Sequence, residues 1–140
     1  MEIQMMKAVE NKVVNEIVLI RGLPGSGKST RAKKMQGYLH LEADMFLHVD
    51  GVYVYDQSKV RVAHEQCLSL AKDALEKGMN VVISNTFVKI WELQLYVNLG
   101  YPFRIMEMKN RWSNVHAVPE DKIEIMARGW QKLPRELQTH

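Results

Sequence analysis

Residues 22–29 read Gly-Leu-Pro-Gly-Ser-Gly-Lys-Ser and indicate the architecture of the whole chain. This octapeptide fits the phosphate-loop pattern G-x-x-x-x-G-K-[S/T]. Its glycines allow successive backbone N–H groups to turn toward one anion without a Cβ clash. Average residue frequencies would produce the pattern by chance in about one chain in two hundred of this length. The stretch therefore predicts a binding site for nucleotide phosphates.

The side chains of the loop have expected roles. Lys28 is long enough to reach the β- and γ-phosphates of a nucleoside triphosphate, and the Ser29 hydroxyl can bind Mg²⁺. The first N–H groups of the following helix would face the same phosphates. A glycine turn that only joins a strand to a helix is the alternative. The expected nucleotide-binding residues are Gly22, Leu23, Pro24, Gly25, Ser26, Gly27, Lys28, Ser29 and Thr30.

The segments around the loop alternate between predicted strands and helices. An apolar run over 16–21 predicts a buried strand that enters the loop, and good helix formers follow over 28–36. Further strands are expected over 38–42, 80–84 and 103–108, and further helices over 58–77, 91–99 and 119–131. Such alternation is typical of a parallel sheet with right-handed crossovers.

Apolar spacing predicts which helix faces are buried. The residues expected to face the core are Val60, Ala63, Cys67, Leu70, Ala71 and Ala74 of the helix over 58–77, with Trp91 and Tyr96 of the next helix.

The composition excludes several classes of protein. The chain has 140 residues, of which 46% are hydrophobic and 25% charged, as in an average soluble domain. We expect one domain over residues 1–140, a cytoplasmic location, and no membrane span, because the longest apolar run covers only 17–20. Cys67 is the only cysteine, which excludes an internal disulfide and a cysteine-based zinc site. The net charge of +3 is compatible with anionic ligands.

Several stretches in order resemble the small P-loop kinases typified by bacteriophage polynucleotide kinase and the ATP-binding module of the Nedd-binding proteins. The shared stretches are GLPGSGKST at 22–30, Asp44, Asp50-Gly51, Ala63-His64-Glu65, Asn85-Thr86, Trp91-Glu92 and NVHAVP at 114–119. Together they extend over most of the chain. The resemblance implies a three-layer α/β P-loop NTPase fold with a parallel sheet of about four or five strands and a short C-terminal lid.

The resemblance also implies an activity. A kinase of this kind would use ATP, or another nucleoside triphosphate, with Mg²⁺ to phosphorylate a hydroxyl of a polynucleotide, nucleotide or nucleoside. Asp44 would take the proton from that hydroxyl, and Ser29 and Asp44 would bind the metal. A turn or cap carboxylate without chemistry is the alternative for Asp44. If the chain is phage-encoded, as its likeness suggests, it would act in the host cytoplasm.

A lid arginine completes the expected catalytic set of Lys28, Asp44 and Arg111. Such an arginine stabilises the charge on the transferring phosphoryl group. The family's lid arginine falls on Ser113, so Arg111 is expected as its substitute. These residues belong to the expected lid segment, 109–114. A solvated basic loop is the alternative interpretation of this segment.

Three positions depart from the family pattern. The acid expected at the end of the third strand is replaced by Ser84-Asn85, so Mg²⁺ would depend on Ser29, nucleotide oxygens, waters and Asp44. Leu47 replaces an arginine that grips a nucleic-acid phosphate, and Phe87 replaces a polar asparagine. These losses leave open a non-catalytic nucleotide-binding scaffold or partner switch. A plain nucleic-acid-binding module is a third possibility.

Glu42 has no expected role in this scheme. It lies two residues before Asp44 and is expected to point to the other side if the strand continues that far.

Overall fold

Parallel strands form the centre of the computed structural model, which describes residues 15–49, 52–53, 57–109 and 118–138. The strands are β1 (Ile17–Arg21), β2 (Tyr38–Leu41), β3 (His48–Val49), β4 (Val52–Tyr53), β5 (Asn80–Asn85) and β6 (Phe103–Glu107). The helices are α1 (Lys28–Lys33), α2 (Gln57–Glu76), α3 (Ile90–Val97) and α4 (Glu120–Arg128), with 3-10 turns at Ala43–Phe46 and Arg135–Leu137.

The main sheet has four strands in the spatial order β2-β5-β1-β6, and all pairs are parallel. Every residue of β1 is buried, as expected for a central strand that is covered on both faces. Ile17 pairs with Val81 of β5 on one side and with Phe103 of β6 on the other. The predicted parallel sheet is confirmed.

Two apolar clusters show that helices cover both faces of the sheet. On one face, Ile17 and Leu19 pack in a cluster with Cys67 of α2 and Leu93 of α3. On the other face, Val18 and Ile20 pack in a separate cluster that includes Ala32 of α1. Alternate residues of β1 point to opposite faces, so the chain forms the three-layer α/β fold that the sequence predicted.

Two predicted core positions are wrong. Leu70 is 43% exposed because it lies at the edge of the α2 stripe, and Ala71 and Ala74 make the contact with the sheet. Trp91 is 64% exposed because it lies two residues, more than half a helical turn, from the buried Leu93. The remaining predicted core residue of α3, Tyr96, is buried as expected.

A short hairpin follows the 3-10 turn at Ala43–Phe46, and the helix α1 is shorter than predicted. β3 and β4 pair antiparallel. Asp50-Gly51, which follows β3 in the chain, is a dipeptide typical of two-residue hairpin turns, and it lies outside the described residues. The helix α1 ends at Lys33, three residues before its predicted end at 36, and Gly37 follows with φ 82°. Within the described ranges, no helix combines the length and the apolar character needed to cross a membrane. Of the expected lid segment, 109–114, only Lys109 belongs to the described residues.

The fold brings three strand ends together. β1, β5 and β2 are neighbours and run in the same direction, so the loops that follow them share one edge of the sheet. Ligands of open α/β sheets bind at this edge.

Candidate functional site

The loop between β1 and α1 has a shape that requires glycine. Gly27 adopts φ 95° directly before α1, a left-handed conformation that favours glycine. A Cβ on Gly22 would collide with Ser26 Oγ and lie 2.7 Å from the carbonyl oxygen of Met108. The Ser26 N–H donates to the carbonyl of Leu23 at 3.1 Å. These contacts make a compact turn at the end of β1, as the phosphate-loop pattern predicts.

The base of this loop is held by a buried arginine. Arg21 is fully buried, and its Nη2 donates to the carbonyl of Phe87 at 2.7 Å and to that of Gln131 at 3.0 Å. Its guanidinium carbon lies 3.9 Å from the centre of the Trp130 ring, a cation–π arrangement. Burial lowers the pKa of Arg21, although the carboxylates of Glu107 and Glu92 partly raise it. Arg21 therefore joins the start of the loop to the segments after β5 and α4.

A cleft of about 270 Å³ opens beside the loop at the shared edge of the sheet. The predicted nucleotide-binding residues that line it are Pro24, Gly25, Gly27, Lys28, Ser29 and Thr30, and the turn after β2 and the end of β5 add Glu42, Ala43, Asp44, Ser84, Asn85 and Thr86. Gly22, Leu23 and Ser26 are not among its lining residues. Leu23 and Ser26 instead line a second cavity of about 300 Å³ together with Glu107, Met108, Lys109, Ala127 and Trp130.

Lys28 points into a partly desolvated environment. Its Nζ donates to the carbonyl of Leu23 at 3.1 Å. Burial lowers the pKa of Lys28 to about 8, although the nearby carboxylates of Asp44 and Glu42 partly raise it. A lysine with this pKa is still mostly charged at neutral pH, so Lys28 can bind an anionic ligand in the cleft.

Glu42 is the functional candidate that the sequence reasoning missed. The expectation that it points away from the site is wrong: its Oε2 accepts hydrogen bonds from Ser29 Oγ and from Ser84 Oγ, each at 2.7 Å. Positions 42 and 44 are two residues apart, and residues i and i+2 of an extended strand share a face. β2 ends at Leu41 and a 3-10 turn follows, so Glu42 and Asp44 both line the cleft. The available signal was the glutamate that directly follows a strand adjoining β5.

Asp44 lies in the 3-10 turn Ala43–Phe46 and is half-buried at the cleft. The turn is held to β5 by the N–H of Ala43, which donates to Asn85 Oδ1 at 2.8 Å. The charge of Asp44 acts on the pKa of both Lys28 and His64. A carboxylate is therefore placed near the lysine of the phosphate loop, where the sequence predicted one.

The wall of the cleft beyond Asp44 is largely apolar. It is formed by Leu47, Val60, Ala63, His64, Val118 and Met126. Burial lowers the pKa of His64, although Glu92 and Asp44 partly raise it. Among the described lining residues, Lys28 is the only lysine or arginine. Leu47, where the family pattern has an arginine, is buried in this wall.

The structure also places the other two positions that depart from the family pattern, Phe87 and Ser84. Phe87 lies in the core rather than at the cleft, and its ring meets that of Tyr96 edge-on at 5.6 Å. Its φ of 48° is unusual for a residue other than glycine. Ser84 lines the cleft but carries no charge.

The donor set of the cleft suits Mg²⁺ only with help from a ligand. A hydroxyl and two carboxylates, from Ser29, Glu42 and Asp44, are hard oxygen donors of the type that Mg²⁺ prefers. Over the described ranges, no group of three or more His, Cys, Asp or Glu side chains could hold a metal ion. Mg²⁺ usually keeps several waters and binds through one or two carboxylates plus substrate phosphates. The residues present fit that pattern.

Arg111 and Ser113 lie outside the described residues. The expected contribution of Arg111 stays a prediction. Arg128, on α4, is exposed and does not line the cleft.

Comparisons with known proteins agree with the fold and the loop. A family model described as an AAA domain matches residues 17–117. NEDD4-binding protein 2 of Homo sapiens is 32% identical over an alignment that covers 83% of this chain and 8% of that protein. A putative bifunctional polynucleotide phosphatase/kinase of Acanthamoeba polyphaga mimivirus is 30% identical over 74% of this chain and 20% of the relative. The chain thus spans a fifth or less of the length of these relatives.

Solved structures share the architecture. A gluconokinase from Sinorhizobium meliloti 1021 superposes with a TM-score of 0.58 at 16% identity, over 89% of this chain and 80% of the gluconokinase. At this level of identity the likeness concerns the fold alone. The α/β P-loop kinase fold predicted from the sequence is confirmed.

Proposed function

Because the chain belongs to the AAA-domain family of P-loop, kinase-like proteins, we propose that it is a kinase that transfers the γ-phosphate of ATP to a hydroxyl of a polynucleotide, nucleotide or nucleoside. One observation carries the proposal. Lys28, Ser29 and Asp44 line the same cleft, so a cation for phosphates, a metal-binding hydroxyl and a possible base lie together.

The nucleotide would bind along the loop 22–30. Backbone N–H groups and Lys28 would contact the phosphates, with Lys28 exchanging its bond to the Leu23 carbonyl for the terminal phosphates. The low pKa of Lys28 supports this role, because an anion relieves the cost of keeping the buried ammonium charged.

Ser29 and Asp44 are the residues that would hold Mg²⁺ beside the phosphates. When bound, the ion neutralises charge that develops on the β- and γ-phosphate oxygens. Nucleotide oxygens and water would complete its coordination, since Mg²⁺ is seldom held by protein alone.

Asp44 is proposed to act as the base. The acceptor oxygen forms a bond to the γ-phosphorus while the bond from that phosphorus to the β–γ bridging oxygen breaks, and ADP leaves. The proton of the acceptor hydroxyl passes to the Asp44 carboxylate. Arg111, from the segment outside the described residues, would approach the transferring group from the lid.

The proposed class of phosphate acceptor is supported by the name of a relative rather than by contacts in the structure. The mimivirus relative is named as a polynucleotide phosphatase/kinase, and a polynucleotide acceptor follows by analogy. The apolar wall that includes Leu47 and Val60 offers no cation for an acceptor's own phosphate among the described residues, which favours a nucleoside over a polynucleotide. We place the reaction in the cytoplasm, the host's if the chain is phage-encoded.

A nucleotide-binding scaffold or partner switch is the second candidate. It is favoured by the uncharged end of β5, at Ser84 and Asn85, and by the leucine at position 47. The name of NEDD4-binding protein 2, which records a binding partner, also favours it.

A transfer experiment separates the two candidates. The wild-type chain and the Asp44→Asn variant are incubated with γ-labelled ATP, Mg²⁺ and panels of DNA, RNA, nucleotides and nucleosides. The proposal expects label in at least one acceptor class with wild type and a loss of about a hundredfold or more with Asp44→Asn. Glu65→Gln is the matched control, because Glu65 is an exposed carboxylate paired with Arg61 on α2. Tight ATP binding without label in any acceptor would refute the kinase and support the scaffold.

A further inference from the structure

The carboxylate missing from the end of β5 is supplied by the neighbouring strand. Many phosphate-loop enzymes hold Mg²⁺ with the loop Ser/Thr and an acid of the Walker B strand, but Ser84 and Asn85 end β5 here. Glu42 directly follows β2, and its Oε2 lies 2.7 Å from the Ser29 hydroxyl oxygen. A carboxylate is therefore hydrogen-bonded to the phosphate-loop serine, although it comes from a different strand.

The strand register explains how Glu42 reaches the loop. Leu41 pairs with Ile83, so Glu42 continues this register beside Ser84, and β5 lies between β2 and β1. Adjacent strands are about 4.8 Å apart, so the long side chain of glutamate spans the gap to β5, where Ser29 meets it. The small Ser84 leaves room for the carboxylate and donates a hydrogen bond to it. An acid at position 84 would instead repel Glu42.

The directions of the hydrogen bonds prepare Ser29 for a cation. A hydroxyl has one hydrogen and two acceptor lone pairs. Ser29 gives its hydrogen to Glu42, which leaves the lone pairs of its oxygen for a metal ion. Behind Glu42, Ser84 donates to the same carboxylate oxygen and His40 Nε2 lies 2.7 Å from Ser84 Oγ. With its hydrogen on Nε2, His40 completes a chain of donors that all point toward Glu42.

The charge of Glu42 is maintained although the residue is buried. Burial raises its pKa, but His40, whose Nε2 lies 3.4 Å from Oε2, and the hydrogen bonds from Ser29 and Ser84 outweigh burial and lower the pKa to about 2. A negative charge therefore lies within reach of the phosphate loop, close enough to raise the pKa of Lys28.

We propose that Glu42 positions Mg²⁺ in this protein, through the Ser29 hydroxyl that it orients and through the negative charge that it presents to the cleft. The inference rests on the proposed function, because the metal ion would arrive with the nucleotide. It assigns to β2 a task that other phosphate-loop proteins assign to the end of the Walker B strand. A distinctive consequence follows. The charge of Glu42 favours nucleotide binding only when Mg²⁺ is present, because without the metal ion it repels the phosphates.

The test measures ATP affinity by calorimetry, with excess Mg²⁺ and with EDTA, in the wild-type chain and in Glu42→Gln. Glutamine keeps the length and one oxygen acceptor for Ser29 but removes the charge. We expect the tightening of ATP binding by Mg²⁺ to fall about tenfold or more, while affinity in EDTA stays the same or increases. A Mg²⁺ effect as large as that of wild type would overturn the inference. So would equal weakening in both conditions, which is the signature of a merely structural role.

A strand swap provides the second variant. Glu42→Ser combined with Ser84→Asp returns the carboxylate to β5, and this double variant should recover at least part of the Mg²⁺ effect. A double variant with a cooperative melting transition and no recovery would contradict the inference. Glu65→Gln, exposed on α2, should behave as wild type. If wild type itself binds no ATP in either condition, the proposed function fails, and that outcome is distinct from a failure confined to Glu42.

Discussion

Binding of a nucleoside triphosphate to the cleft should take up a proton on Lys28. In the protein without nucleotide, burial lowers the pKa of Lys28 to about 8, with partial compensation by Asp44 and Glu42. A triphosphate beside the ammonium favours its charged form and raises this pKa. Because the complex then holds more protons than the free protein, affinity should fall as pH rises above about 8.

The size of the uptake follows from the two pKa values. With a pKa of about 8 in the free protein, about a tenth of the Lys28 side chains are neutral at pH 7 and about three quarters at pH 8.5. If the bound nucleotide restores the ordinary lysine pKa near 10.4, binding takes up about 0.1 proton at pH 7 and about 0.75 at pH 8.5. Phosphate groups with a pKa near 6 are already ionised at pH 8.5 and contribute little.

Calorimetry in two buffers with different protonation enthalpies measures this uptake directly. Lys33→Met is the matched control, because Lys33 is an exposed lysine of the same helix, and it should retain the uptake. Lys28→Met should lose it. An uptake below about 0.2 proton at pH 8.5 in wild type, or the same uptake in Lys28→Met, would refute the reasoning about this lysine.

Three further substitutions, with Trp91→Ala as a control, test other parts of the structure. Asp44→Asn should lower kcat about a hundredfold or more; steady-state kinetics with an unchanged kcat would exclude Asp44 as the base. Trp130→Ala should lower the free energy of unfolding by about 1–3 kcal/mol in urea titrations, because it exposes the buried guanidinium of Arg21. The exposed Trp91→Ala should change it by less than about 0.5 kcal/mol, and equal losses would contradict the stacking argument. Gly22→Ala should weaken ATP binding about tenfold or more in calorimetry, because its Cβ would meet Met108 at 2.7 Å; wild-type affinity would show that the loop tolerates the change.

The parts of the site that depend on local geometry could be predicted from the sequence. The loop 22–29 combines glycines, a lysine and a serine at a spacing that one backbone shape satisfies, and the strand and helix on either side of it were visible in the apolar pattern. The placement of Asp44 at the edge of the sheet followed from the rule for parallel strands and from the family resemblance.

The position of Glu42 could not be predicted in the same way. Its partners, Ser29 and Ser84, are 13 and 42 residues away in the chain, and the contact depends on the order β2-β5-β1 and on the end of β2 at Leu41. Neither is encoded locally. The exposure of Trp91 could not be predicted for a related reason, since α3 is apolar on several sides and only its packing against the sheet selects Leu93 and Tyr96 for the core.

Thermal melting with and without MgATP tests the central claim most directly, namely that this cleft binds the phosphates of a nucleotide. At a nucleotide concentration about a hundred times the dissociation constant, binding should stabilise the wild-type chain by about 2.7 kcal/mol and raise its Tm by several degrees. At the same concentration Lys28→Ala should lose much of this protection, because loss of the ammonium should weaken binding at least about tenfold. A wild-type chain whose Tm does not change with any nucleoside triphosphate and Mg²⁺ would contradict the account.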